Sequence, residues 1–175
     1  MATVTLVSVE EYLELPPRED GLVDELIEGE ILLSPNAKPL HAKLVRRLSR
    51  LLEPVEASGY ELATDFGCIL GDYSLPGPDL AAIRSKRWKA VEDEDYLRGS
   101  PELVIEVFSP ANRKGLMAQK AALYLQHGAQ AVWIVYLKKR TVVVQDADGQ
   151  TEVRSGESLM FAGVSVPVTA IFESL

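Results

Sequence analysis

The fold turns on residues 102–108, Glu-Leu-Val-Ile-Glu-Val-Phe. Leu103, Val104, Ile105, Val107 and Phe108 occupy both alternations of an extended chain. Neither face of such a strand can look at water, so the run reads as a central strand covered on both sides. Glu106 breaks it. An unpaired carboxylate in a covered strand costs several kcal/mol and calls for a cation, a proton or a set of donors. The plainer reading, an edge-strand glutamate facing solvent, fits poorly with apolar residues on both alternations.

Downstream, residues 113–127 predict a helix with Gly128 just past its end. At about 100° per residue, Leu116, Met117, Leu123 and Tyr124 form one apolar arc, and Lys120 lies near its centre. A lysine there can snorkel, its stem packed and its ammonium in water. If the helix packs on the strand carrying Glu106, the ammonium is aimed at that carboxylate instead. Two β-rich runs follow, 131–137 and 141–146, around the basic Lys138-Lys139-Arg140. Residues 151–175 read as short strand-like pieces.

Upstream, the stretch 74–83, Ser-Leu-Pro-Gly-Pro-Asp-Leu-Ala-Ala-Ile, leads through turn residues into a short strand over 79–83. Asp79 after a proline is ordinary turn chemistry when taken alone. Beside Glu106 on a neighbouring strand, it completes a pair of the hard oxygen ligands that Mg²⁺ prefers. Strands are expected over 60–66 and 68–70 around Gly67, and a polar helix or loop over 85–98. Residues 39–57 predict a helix with Leu44, Val45, Leu48, Leu51, Leu52 and Val55 on one face, and Arg46, Arg47 and Arg50 turned away. His41 shares the apolar face, where a lone histidine is more often a satisfied core residue than a ligand. Residues 22–27 and 30–34 predict a β-hairpin about Glu28-Gly29. In it Glu25 alternates with Val23 and Ile27 and is expected to point inward. Ser8 and Glu11 form a capping box opening a helix to about Leu15, stopped by Pro16-Pro17.

With 175 residues and no repeat or linker, the sequence predicts a single domain, 1–175, its core at about 20–145. A 47% hydrophobic and 25% charged composition argues against disorder. One cysteine, Cys68, makes no internal disulfide and suggests a cytoplasmic setting; with two histidines beside it, structural zinc is not expected. The first fifteen residues have no basic leader, and no apolar run is long enough for a membrane span. The net charge of −8, from 26 acidic and 18 basic residues, argues against a protein that coats nucleic acid. An enzyme with a local basic groove remains compatible. The order of elements, helix, hairpin, helix, three strands, helix, two strands, predicts an α/β fold with a mixed sheet flanked by helices.

Pro78-Asp79, Glu106 in Glu-Leu-Val-Ile-Glu-Val-Phe-Ser-Pro, and Lys120 in Gln-Lys-Ala-Ala-Leu-Tyr resemble the PD-(D/E)XK nuclease superfamily. More closely, segments at 25–35, 76–83, 102–110 and 120–135 resemble, in order, the Uma2 (DUF820) family of restriction-endonuclease-like proteins, over roughly 20–145. The resemblance implies a restriction-endonuclease-like fold, with Asp79 and Glu106 as metal-binding acids. The superfamily's lysine usually lies two residues after the glutamate, where this chain has Phe108. The family resemblance puts it in the following helix, at Lys120. Two departures stand out: Leu116 where relatives often have aspartate, and Tyr136-Leu137 where they often have Asp-Pro.

These readings predict Mg²⁺- or Mn²⁺-dependent hydrolysis of DNA phosphodiester bonds by Asp79, Glu106 and Lys120. Glu25 and His41 are auxiliary, and Arg46, Arg47 and Arg113 are candidate phosphate contacts. The rival is a binding module for nucleic acid or a partner on the same fold, with weak catalysis or none. By resemblance, a homodimer is expected.

Overall fold

A computed structural model describes residues 6–20, 22–35, 37–108 and 114–173. Helix α1 (Val9–Leu13) opens with the expected reciprocal cap: Ser8 N–H donates to Glu11, whose own N–H donates to the Ser8 hydroxyl. Strands β1 (Leu22–Ile27) and β2 (Glu30–Pro35) form the hairpin. Its two-residue turn has positive φ at both Glu28 and Gly29, which matches the right-handed twist of the flanking strands.

Helix α2 (Pro39–Leu52) buries Leu44, Leu48 and Leu52. The single helix expected over 39–57 is instead two pieces, with a 3-10 segment at Glu53–Ser58. Pro54 is the physical reason: it lacks the N–H that would continue the ladder, and its ring crowds the carbonyl one turn back. Gly59, at φ +83°, then turns the chain.

Strands β3 (Tyr60–Ala63), β4 (Cys68–Ile69) and β5 (Leu80–Arg84) follow, then α3 (Ser85–Trp88), β6 (Leu97–Arg98) and β7 (Leu103–Phe108). Helix α4 (Lys114–Gln126) leads to β8 (Ala131–Tyr136), β9 (Thr141–Asp146) and β10 (Gly149–Val153). A hairpin of β11 (Ser158–Phe161) and β12 (Val164–Pro167) precedes α5 (Val168–Phe172).

Six strands make the main sheet in the order β10-β9-β8-β7-β5-β3. Only β7 and β8 run parallel, and α4 connects them. The α/β class with a mixed sheet flanked by helices is as expected. Strand β7 has neighbours on both edges, and Leu103 to Val107 are all buried. Leu103, Ile105 and Val107 face a core built with α2, the β11–β12 hairpin and α5. Val104 faces a second core built with Ile27, Met117, Ala121 and Tyr124.

The tail departs from the expected strand-like pieces by ending in α5. Five residues with three β-branched side chains carry no helical signature of their own, and packing of Val168, Ile171 and Phe172 supplies the stability. Two arginines also bind its end. The Arg47 guanidinium donates to the carbonyls of Ile171 and Glu173, and Arg140 donates to that of Phe172. Arg47→Ala should therefore lower stability by about 1–2 kcal/mol. Amide hydrogen exchange should quicken in α5, with the rest of the sheet unaffected. An unchanged melting temperature and exchange pattern would remove this role.

Candidate active site

The antiparallel register of β5 and β7 pairs Leu80 with Ile105 and Ala81 with Val104. One step further, Asp79 stands opposite Glu106. Residues directly opposite have Cβ atoms about 5 Å apart, and like charges there repel. Both carboxylates share the side of the sheet that carries Ala81 and Val104, the side covered by α4. The Val107 N–H donates to Asp79 Oδ2 at 2.6 Å and fixes that carboxylate across the strands. On its other oxygen, Asp79 meets His41 Nε2 at 3.1 Å. His41 reaches it from the first turn of α2, so the histidine has a carboxylate partner.

Lys120 is buried, 3% exposed, on the face of α4 that packs on the sheet. Snorkelling does not occur. Its Nζ lies 2.9 Å from Glu106 Oε1 and 2.9 and 3.2 Å from the two oxygens of Glu25. Glu25 comes in from β1, where it shares a side with the buried Ile27, and its Oε1 also accepts the Gly77 N–H at 2.8 Å. The Tyr124 hydroxyl, one helical turn from Lys120, donates to Glu106 Oε1 at 3.0 Å. Among the described residues, every donor to Glu106 falls on Oε1 and none on Oε2.

Burial pushes the Glu106 carboxyl up to about 8; Lys120 pulls it back, while Asp79 and Glu25 add to the rise. Burial alone would push the Lys120 ammonium down, but Glu106 and then Glu25 more than reverse this and hold it above its ordinary value. The two directions have one reading: the lysine stays charged, and burial, helped by the neighbouring negative charge, makes Glu106 the carboxyl that keeps a proton. The hydrogen bond to Asp79 raises His41, against burial. Burial, then Glu106, holds the Tyr124 hydroxyl well above its ordinary value, so it remains a donor.

The Uma2 family, described as "putative restriction endonuclease", matches residues 9–168. The chain belongs to the Uma2 family. The structure is similar to the crystal structure of a putative nuclease belonging to DUF820 from Anabaena variabilis ATCC 29413. The TM-score is 0.81 at 20% identity, over 95% of this chain and 97% of that one, which establishes a shared fold. No curated protein matches.

In this Uma2 chain three carboxylates, Glu25, Asp79 and Glu106, surround one ammonium and one histidine. The imbalance, the Glu106 Oε2 without a donor among the described residues, and the all-oxygen chemistry of the facing acids suit a hard divalent cation. Among the described residues, no three His, Cys, Asp or Glu side chains are grouped so as to cage a metal unaided. Two facing carboxylates nonetheless match the habit of Mg²⁺, which keeps several waters and takes one or two carboxylates plus substrate phosphate.

The structure thus gathers Asp79, Glu106, Lys120, Glu25 and His41 of the expected residues. It does not gather the arginines. Arg46 is exposed on α2, Arg47 is spent on the end of α5, and Arg113 lies outside the described residues. Sequence reasoning missed Tyr124 as a functional partner, counting it only in the apolar arc. A large aromatic with a hydroxyl, four residues from the anomalous lysine, was the available signal, because a buried tyrosine O–H usually finds a partner.

Proposed function

We propose that this chain is a metal-dependent endonuclease that hydrolyses DNA phosphodiester bonds. The observation that carries the reading is the buried Lys120 ammonium against Glu106, with Asp79 opposite in register. Asp79 and Glu106 would hold Mg²⁺ or Mn²⁺, which when bound neutralises phosphate charge and makes a coordinated water more acidic. Lys120 keeps a positive charge beside the reacting group, where it stabilises charge building on the phosphate oxygens. Glu25, itself fixed by the Gly77 N–H, holds that amine in place, and Tyr124 holds Glu106 Oε1 so that Oε2 is left for the cation. His41 orients Asp79 and adds positive charge on the substrate side. In the net reaction water adds to phosphorus, the bond to the leaving oxygen breaks, and that oxygen takes a proton.

The test is a cation titration at two pH values alongside a plasmid-cleavage assay. Without a cation, Glu106 stays protonated to about pH 8, well above the ordinary carboxylate range. A cation must expel that proton, so affinity should rise with pH by up to about tenfold per unit until about pH 8, then level off. Calorimetry in buffers of different ionisation enthalpy should find close to one proton released near neutral pH. Glu106→Gln should abolish both the binding and the cleavage. A pH-independent affinity, or cleavage persisting in that variant, would overturn the assignment. Specific DNA binding with no cleavage in either metal would favour the rival, a binding module on the nuclease fold.

A further inference from the structure

Strand register carries the sheet end that holds Glu106 across to a second feature. Glu106 is level with Ile134 and Ile134 with Val143, and Thr141 lies two residues further along. At about 5 Å per strand and about 3.3 Å per residue, Thr141 is roughly 12 Å from Glu106. There, a cavity of about 780 Å³ opens between the β8–β9 turn, the start of α5 and the residues after β10. Lys139, Arg140 and Arg154 line it, against one carboxylate, Glu173. A smaller cavity lined by Leu40, Leu137, Arg140 and Phe172 shares two of those residues. Leu40 precedes His41, which touches Asp79. Leu40 therefore links the wall of the smaller cavity, through its chain neighbour His41, to the acid site.

The cations are not all used up inside the fold. Arg154 is 69% exposed on its side chain, with one nitrogen bound to Glu152 at 2.9 Å. Lys139 Nζ stands over the Tyr136 ring at 5.6 Å and makes no ion pair among the described residues. Arg140 holds α5 from a left-handed backbone at φ +53°, a conformation where Gly or Asn is more usual. Thr141 is buried, and its hydroxyl has no hydrogen-bond partner among the described residues; Glu152 lies close by without completing that bond. On a chain with net charge −8, such a cluster at the reactive end of the sheet calls for an anionic occupant.

We propose that this cavity is a subsite for a backbone phosphate of the nucleic-acid strand, three to four nucleotides from the bond that is cut. The spacing follows from about 3.4 Å of helix axis per nucleotide in one strand. Lys139 and Arg154 make the contact, and Arg140 shapes the wall. The proposal rests on the nuclease reading for its substrate, and on the cavity for its location.

The experiment measures binding of a short fluorescent DNA duplex over a range of salt concentrations, with Ca²⁺ as the cation. Lys139→Glu and Arg154→Glu should each lower the slope of log Kd against log salt by about one, and together weaken binding at least tenfold. Melting temperatures of the variants verify folding, and Lys139→Ala and Arg154→Ala should give the same direction with a smaller size. A wild type that does not bind the duplex, or variants with unchanged affinity and slope, would overturn the subsite. Hydrolysis of bis(4-nitrophenyl) phosphate by the wild type with Mn²⁺ reports on the acids alone, because so small a diester cannot reach from them to the cavity. If that hydrolysis is absent while DNA binding still falls on charge reversal, the nuclease reading fails and the subsite stands.

Discussion

Asp79→Asn should reduce DNA cleavage by at least about 10²–10³-fold while leaving the protein folded. The asparagine oxygen can still accept the Val107 N–H that Asp79 Oδ2 accepts at 2.6 Å, so the β5–β7 junction keeps its tie. What disappears is charge. Asp79 is one of the groups that raise the Glu106 carboxyl, so its neutralisation lets Glu106 ionise at lower pH and removes a like-charge pair facing across two strands. The melting temperature should then stay level or rise slightly above neutral pH, in the opposite direction to activity. His41 also loses its main reason for a raised pKa, and should titrate closer to an ordinary histidine by NMR. A cleavage rate within a few-fold of wild type would remove Asp79 from the chemistry.

Lys120→Met should cost both activity and stability, the second by about 3–5 kcal/mol, the range for leaving a buried charge without its partner. The pH dependence has a definite sign. Lys120 is the chief influence lowering the Glu106 carboxyl, so its removal drives that carboxyl higher still. Between the ordinary carboxylate range and this raised value, the folded protein keeps a proton that the unfolded chain releases, and stability therefore falls as pH rises. The destabilisation should be mild in weak acid and greatest above about pH 8. Adding Glu106→Gln should recover much of the lost stability without restoring cleavage. Equal destabilisation at every pH, or no recovery in the double variant, would mean that the ammonium and Glu106 are not coupled.

Much of this site was legible because it violates the hydrophobic pattern around it. Glu106 stood out in a run apolar on both alternations, and Lys120 in an arc apolar on either side of it. Both prove buried, and they touch. Asp79 was ambiguous by itself, since aspartate after proline has a local explanation; only the register of β5 against β7 puts it opposite Glu106. Glu25 could be placed on the inward side of its strand, but not matched to Lys120, because that contact joins positions 95 residues apart. Tyr124 broke no rule, since its ring suits the apolar arc; only its hydroxyl, which needs a partner when buried, set it apart. Helix α5 was hidden for a different reason: its shape comes from what it packs on and from Arg47 and Arg140, and five residues carry too little periodicity to announce it. The break of α2 at Pro54 was readable, and the apolar spacing that continues to Val55 outweighed it.

The lysine rides on α4, while the acid it serves belongs to β7. Side chains two apart on one strand keep their separation through the backbone ladder, whatever the surroundings do. A group delivered by a helix keeps it only as well as the helix sits on the sheet. Small changes of volume along that seam, at Met117 or Ala121, can therefore shift the ammonium relative to the acids without altering any charged group. On the proposed reading, evolution can also move the ammonium from one segment to another, because a phosphate meets positions in space and is indifferent to their order along the polypeptide.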